Sequence, residues 1–198
     1  MGLFSKKTNI IDEVPRFFLD QFPTWAVQHA TNLVQELKTS KDDTEKMWAD
    51  LLQKNSSAEK ILIDCLTAAH ATYISITLPE GTLLLLGGKK KIASAILKWS
   101  ARSQNFFVLA SAYHKRILKN GGESDLTASL EKMFGGGGKL EPLAVHIGTL
   151  ITKIIEDELK TDLGPFFVAG LYRVIFKLQD EQLDWISNEV MEKTERHN

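Results

Sequence analysis

Histidine and cysteine offer the widest range of chemistry in this sequence, but their spacing predicts neither a metal site nor a nucleophile. The histidines stand singly, with no His-Glu-x-x-His motif and no two of them one helical turn apart beside a carboxylate. Cys65 and His70 lie five residues apart on one predicted helix and point in different directions, so a Cys–His pair would need a histidine from another segment. We interpret His70 and His146 as partly buried, hydrogen-bonded core residues, and a haem pocket with one axial histidine is the alternative. The remaining histidines are His29, His114 and His197.

Phosphate-binding and acid–base patterns are equally weak. A Walker-type loop requires Ser or Thr after its Gly-Lys pair, and Lys90 occupies that place here. The glycine-rich run 134–139 could bind an anion through successive backbone N–H groups, although a flexible linker is the simpler interpretation. Adjacent carboxylates, as at 42–43 and 156–158, point apart on a helix and fit capping or solvation better than acid–base chemistry. The sequence therefore favours a protein without catalytic activity, and an enzyme with a site built from distant residues is the alternative.

Charge segregation is the most informative feature of the chain. The formal net charge is only −1 over 198 residues. Residues Gly81 to Gly122 nevertheless carry eight Lys and Arg and no Asp or Glu, so the rest of the chain sums to −9. A basic block of this kind produces a positive field that attracts anionic partners.

The apolar pattern predicts an all-α protein. Apolar residues recur at spacings of three and four through most of the chain, which indicates about seven or eight helices in a bundle or an orthogonal array. We expect one domain over residues 1–198. A β-hairpin at Tyr73–Gly88 is the minor alternative. Glycines at 87–88, 121–122 and 135–138 predict flexible joints. The predicted hinge residues are Gly87, Gly88, Gly135, Gly136, Gly137 and Gly138.

Prolines and caps set the predicted helix boundaries. Pro15 starts a short helix that ends before Pro23, and a second helix follows it to Lys38. The capping box Ser56-Ser57-Ala58-Glu59 opens a helix that ends at about Thr77. Further helices are predicted from a cap at Asp42 or Asp43 to Lys54, from Pro142 to the acidic residues 156–158, and from Pro165 to about Lys193.

The longest predicted helix, Lys89 to Asn120, combines an apolar stripe with a basic surface. The stripe includes Ile92, Ile96 and Phe106, spaced to face one side of a helix. A helical wheel groups the basic residues into two ridges beside that stripe. We predict that these ridges bind an anionic partner. The predicted binding residues are Lys89, Lys90, Lys91, Lys98, Arg102, Lys115, Arg116 and Lys119.

Three kinds of partner fit such a helix: an acidic protein surface, an anionic membrane surface and nucleic-acid phosphates. No named nucleic-acid-binding motif accompanies it, and its aromatic residues fall mostly on the stripe assigned to the core. A protein partner or self-association is therefore the first expectation. The internal alternative is that the ridges face acidic helices of the same chain, since residues 156–198 carry ten acidic and five basic side chains.

Another class of function is a small-molecule or cofactor carrier, with an interhelical cavity walled by Phe166, Phe167 and Trp185. No cofactor or metal is predicted. No run without Asp, Glu, Lys or Arg is longer than the 15 residues of Cys65 to Pro79, fewer than the ~20 that cross a bilayer, so no integral membrane segment is expected. A single cysteine fits a reducing compartment, which favours the cytoplasm.

Overall fold

The structure is a computed structural model that describes residues 10–77 and 142–195, with side chains described over 20–70 and 144–189. Five helices and no strand make up these two stretches, so the all-α prediction is confirmed for the described residues. The total number of helices, their arrangement and the single domain stay predictions. The helices are α1 (Ile10–Thr39), α2 (Lys46–Lys54), α3 (Ser56–Thr77), α4 (Pro142–Leu159) and α5 (Pro165–Glu195).

α1 is one continuous helix over a stretch that the sequence divides into two. It runs through Pro23, the residue predicted to separate them. A proline inside a helix lacks an N–H and crowds the carbonyl four residues earlier, which costs about 3 kcal/mol. Phe22 and Ala26, on either side of Pro23, are buried in the core. The predicted break is wrong because tertiary packing outweighs the local preference.

The predicted bounds of α3 are confirmed, but its cap is Asn55 and not Ser56. Asn55 Oδ1 accepts hydrogen bonds from the backbone N–H groups two and three residues later, at 3.0 and 3.1 Å. Glu59, the other end of the predicted capping box, instead accepts a 2.7 Å hydrogen bond from Lys38 of α1. Lys38 thereby lowers the pKa of Glu59 and ties α1 to the start of α3.

α2 begins at Lys46, later than predicted, because Asp42 builds a turn in front of it. Asp42 Oδ1 accepts hydrogen bonds from the backbone N–H of Thr44, at 2.9 Å, and from its hydroxyl, at 2.5 Å. These bonds are the main reason that the pKa of Asp42 is lowered, and Arg173 contributes less. The carboxylate caps this turn and not the helix. The predicted end at Lys54 is confirmed.

The β-hairpin alternative is wrong at its first strand, because Tyr73–Thr77 continue α3. The remainder of that segment, 78–88, lies outside the described residues. The predicted helix 89–120 and the predicted glycine joints at 87–88, 121–122 and 135–138 also lie outside them.

The core forms where α1, α3 and α5 pack together, with α4 against α5 and α3. On α1 the spacing of apolar residues in the sequence predicts a core face of four residues, Val27, Ala30, Val34 and Leu37. The last three are buried, and the prediction is wrong at Val27, which is 44% exposed. On α5 the same spacing predicts six apolar core positions, and the five with described side chains are buried, with Val190 outside them. The five are Val168, Leu171, Ile175, Leu178 and Ile186.

α2 docks on the first half of α5 through an unusually close approach. Trp48 of α2 is fully buried, packs edge-on against the Phe167 ring and donates a 2.6 Å hydrogen bond from Nε1 to the Phe167 carbonyl. A Cβ atom on Gly170 would lie 2.7 Å from the Thr44 carbonyl oxygen and 2.8 Å from Trp48 Cδ1. Glycine is therefore the residue that lets the two helices meet.

Glu156 shapes the connection between α4 and α5. Its carboxylate accepts hydrogen bonds from the backbone N–H groups of Leu163, at 3.0 Å, and Gly164, at 3.3 Å. Gly164 has a φ of 72°, in the left-handed region that glycine adopts without a steric penalty. The turn directs α5 back against α4. Glu156, one of the acidic residues predicted to cap or to be solvated, thus bonds the connection between the two helices and not a helix end.

Candidate functional site

The predicted binding surface cannot be placed, because all eight basic residues and all six hinge glycines lie within 78–141, outside the described residues. The described helices are strongly acidic, with 11 Lys and Arg against 20 Asp and Glu over residues 10–77 and 142–195, a net of −9. This net of −9 equals the net charge of the whole chain outside the basic block Gly81–Gly122.

A buried chain of four polar side chains joins three helices at the other half of α5. We call it the histidine relay: His29 of α1, His70 of α3, and Glu181 and Gln182 of α5. His29 Nδ1 lies 3.0 Å from His70 Nε2, and His70 Nδ1 lies 2.8 Å from Gln182 Oε1. At the outer end, His29 Nε2 contacts Glu181 Oε2. The relay therefore runs from the protein surface into the core.

Burial increases steadily along the relay. The Glu181 side chain is 42% exposed and the His29 side chain 10%, whereas His70 and Gln182 are 0% and 1% exposed. Burial is the main reason that the pKa of His70 falls to about 3. The nearby His29 also lowers this pKa, and the hydrogen bond to Gln182 opposes the shift. His70 is therefore neutral at physiological pH.

Aromatic rings enclose the relay. Trp25, one turn before His29 on α1, stacks on the His29 ring at 4.9 Å between centroids and meets the His70 ring edge-on at 5.0 Å. Trp185 of α5 stacks on Trp25 in turn, at 4.8 Å. Phe22 contacts Trp25, Trp185 and His70. This apolar wall keeps the dielectric low, which strengthens hydrogen bonds inside it and raises the cost of an unpaired charge.

The relay contains no nucleophile. Cys65, five residues before His70 on α3, is fully buried, and burial raises the pKa of its thiol, so it stays protonated and unreactive at neutral pH. His70 is paired with His29 and Gln182 instead. His70 is a hydrogen-bonded core residue as predicted, and it is fully buried where partial burial was expected. His146 is partly buried, as predicted.

Metal or haem binding would also have to break the relay. Both ring nitrogens of His29 and of His70 are engaged in hydrogen bonds, so neither ring has a nitrogen to offer to a metal in this arrangement. Across the described residues, no cluster of three or more His, Cys, Asp or Glu side chains has the geometry of a metal site.

Sequence reasoning missed the relay because its members come from three distant segments. His29 and His70 are 41 residues apart, and His70 and Gln182 are 112 apart. One signal was present: Trp25, His29 and Phe22 share a face with the buried Ala26 and Ala30. That spacing places His29 at a core position, but nothing in the sequence identifies which helix supplies its partner.

A small cleft lies beside the relay, between the C-terminal half of α1 and the middle of α5. Its volume is about 280 Å³, below the usual range for ligand pockets. Its basic residues are engaged by neighbouring carboxylates: Arg173 with Asp42, and Lys177 with Glu36 and Glu181. The lining residues are Leu33, Glu36, Leu37, Ser40, Glu45, Arg173, Val174 and Lys177.

The three residues predicted to wall a ligand cavity lie in different surroundings. Phe166 is 59% exposed, Phe167 is buried against Trp48, and Trp185 stacks on Trp25 beside the relay. None of the three lines the 280 Å³ cleft.

Among the described helices, none has an apolar stretch that is long enough to pass through a lipid bilayer. Comparisons of the chain with protein-family models, with curated proteins and with solved structures found no match.

Proposed function

We propose that this protein is a non-catalytic helical interaction protein, in which the basic segment Gly81–Gly122 binds an anionic macromolecule or an acidic protein surface. The observation that carries the proposal is charge segregation: eight cations without a carboxylate in that segment, against a net of −9 in the described helices. A protein with evenly mixed charges has no surface that attracts a polyanion; this chain concentrates its positive charge in one segment.

Ion pairs among the described helices support this separation of roles. Lys38 bonds Glu59, Lys153 lies 3.0 Å from Asp157, and Arg173 bonds Asp42. These cations are paired with carboxylates of the described part of the chain and are poorly placed to attract an external anion. The acidic excess of the described helices also repels polyanions, which directs them to the basic segment.

An acidic protein surface, including that of a second copy, is the first candidate for the partner. Exposed carboxylates of this chain support the choice: Asp43, Asp50, Asp180 and Asp184 are all exposed. The internal alternative uses the same complementarity within one molecule. An anionic membrane surface and nucleic acid are further alternatives, and a small-molecule carrier belongs to another class. We expect the protein to act in the cytoplasm, without a cofactor.

The test is the salt concentration that elutes the protein from immobilised heparin. The wild type should be retained above about 200 mM salt, and a variant with Lys89, Lys90 and Lys91 changed to Ser should elute much earlier. Each lysine that binds the polyanion displaces about one counterion, so removing three of them weakens the binding and its dependence on salt. The matched control changes three exposed lysines of the described helices, Lys46, Lys54 and Lys60, to Ser, and should elute near the wild type.

Flow-through of the wild type would contradict an external polyanion site. Size-exclusion chromatography at 50 and 500 mM salt then distinguishes the acidic partners that remain. A mass that falls at high salt indicates a second copy, and a constant monomer mass indicates pairing within the chain. Retained protein would next be tested on anionic vesicles and on single- and double-stranded nucleic acid.

A further inference from the structure

We propose that the histidine relay is an acid-operated latch: with three hydrogens on the nitrogens of its two rings, and so one positive charge, it holds α1, α3 and α5 together, and uptake of a fourth hydrogen releases α3 at this contact. The inference rests on the geometry of His29, His70, Glu181 and Gln182, and it is independent of the proposed function.

Counting hydrogens across the relay leads to this conclusion. Each of its three contacts needs one hydrogen. Glu181, as a carboxylate, only accepts, so His29 Nε2 must carry a proton. Gln182 presents Oε1, which also only accepts, so His70 Nδ1 must carry one. The 3.0 Å contact between His29 Nδ1 and His70 Nε2 needs a third hydrogen, on one of these two nitrogens. Three hydrogens on two imidazoles make one positive charge, which Glu181 balances.

Neither neighbouring protonation state fits the same geometry. With two hydrogens, one of the three contacts places a lone pair against a lone pair, and the Gln182 amide would have to turn over to restore a bond. With four hydrogens, two N–H groups face each other across 3.0 Å at the His29–His70 contact, and two positive charges share an apolar enclosure. A fourth hydrogen therefore breaks the central bond, and with it the link that the relay makes between α1 and α3.

The charges around the relay place the single positive charge on His29. From α5, Glu181 bonds His29, and Lys177 lies 3.6 Å from the other Glu181 oxygen. From α1, Glu36 bonds Lys177 and so moderates its effect on the relay. On α3, Cys65 lies five residues before His70 and stays a neutral thiol. The positive charge is therefore stabilised at the half-exposed end, and His70 is held neutral in the core.

Acid opens the latch because His70 is far more basic once exposed. In the closed form the pKa of His70 is about 3, whereas a solvated histidine titrates near 6.5. Below about pH 6.5 the open form binds one more proton than the closed form. Its population relative to the closed form then rises by up to about tenfold for each pH unit.

The first test is nitrogen-15 NMR of the histidine rings in the full chain at pH 7. We expect three protonated ring nitrogens in the pair: both on His29, and Nδ1 on His70. Two neutral rings, or a His70 ring protonated on Nε2, would overturn the proposal. This measurement needs no substitution and so does not depend on whether a variant folds.

The second test is amide hydrogen exchange at pH 7 and pH 5, corrected for the intrinsic rate. Protection around His70 and Gln182 should fall by up to about tenfold per pH unit below 6.5, while protection around Trp48 of α2 stays constant. His70→Gln should abolish the fall, and the control His146→Gln, on α4 and outside the relay, should retain it. Constant protection in the wild type, or an equal fall in His70→Gln, would contradict the latch.

Discussion

The two halves of α5 dock against the other helices in chemically opposite ways. Near its N-terminal end, Trp48 of α2 packs against Gly170 and donates a hydrogen bond to the Phe167 carbonyl. Neither partner in that hydrogen bond is titratable. In its C-terminal half, Glu181 and Gln182 each form a hydrogen bond with a histidine of another helix. Both halves pack a tryptophan, fully buried at Trp48 and partly buried at Trp185, and both satisfy a polar group. The Trp48 contact contains no titratable side chain and the relay contains three, so we expect one helix to combine a permanent attachment with a conditional one.

The largest effect is expected where the permanent attachment is tightest. Gly170→Ala places a methyl group 2.7 Å from backbone and 2.8 Å from an indole ring, and neither can move without separating α2 from α5. Overpacking of this kind should lower the free energy of unfolding by about 3 kcal/mol. Urea denaturation at pH 7 measures it.

The control for that variant is Gly148→Ala on α4. Its new methyl group would lie 3.4 Å from the flexible end of Ile175 and 3.6 and 3.7 Å from Val168 and Leu171, which are ordinary contact distances, and alanine favours a helix interior. Stability should stay the same or rise by up to about 1 kcal/mol. A similar loss in both variants would show that the close approach at Gly170 is not the cause.

The next effect is the pH dependence of stability at the conditional attachment. His70 has a folded pKa of about 3 and an unfolded value near 6.5, so the unfolded chain binds more protons between these values. The contribution of His70 to the free energy of unfolding is fully present above about pH 6.5. It is lost as the pH falls towards 3, by up to about 1.4 kcal/mol per pH unit. Urea denaturation from pH 7 to pH 5 should show this slope in the wild type and in Gly170→Ala. His70→Gln should flatten it, and an unchanged slope there would assign the effect to other groups.

Trp48→Phe should have an intermediate effect that sharpens the contrast. It removes the Nε1 donor of the 2.6 Å bond to the Phe167 carbonyl and part of a fully buried ring. We expect a loss of about 1–3 kcal/mol, equal at pH 7 and pH 5 because no titratable group is involved. A loss of stability that differs between pH 7 and pH 5 would show that the Trp48 contact and the histidine relay are energetically coupled, which the contacts do not indicate.

The smallest effect is expected at Lys177, which bonds Glu36 and lies 3.6 Å from Glu181 at the mouth of the relay. Its partners raise the pKa of Lys177, with the hydrogen bond to Glu36 as the largest cause. The pair is largely exposed, so Lys177→Met should cost less than about 1 kcal/mol, and less still in 0.5 M salt. Thermal unfolding at two salt concentrations measures this, and a larger, salt-independent loss would indicate a packing role.

Prediction from the sequence succeeded where one segment contains the whole signal. The apolar spacing of α5 identified its buried positions, and the 56–77 helix was bounded correctly. It failed where a distant segment decides. The break expected at Pro23 is absent because Phe22 and Ala26 are packed by other helices. The cap of α3 shifted to Asn55, leaving Glu59 to bond Lys38.

The candidate sites divide in the same way. The basic segment 81–122 can be recognised from composition alone, because charge density is a property of contiguous residues. The histidine relay cannot, because each of its histidines has an ordinary single-residue environment in the sequence. Its chemistry arises only when 29, 70 and 181–182 meet.

The sequence by itself thus determined the helical class, several helix ends and the separation of charge, since periodicity, caps and charge act over one or a few turns. Only the tertiary structure decided which glycine admits Trp48, where a proline is tolerated and how two lone histidines share their protons. Those outcomes depend on distances of about 3 Å between residues far apart in the chain, and local sequence carries no record of such distances.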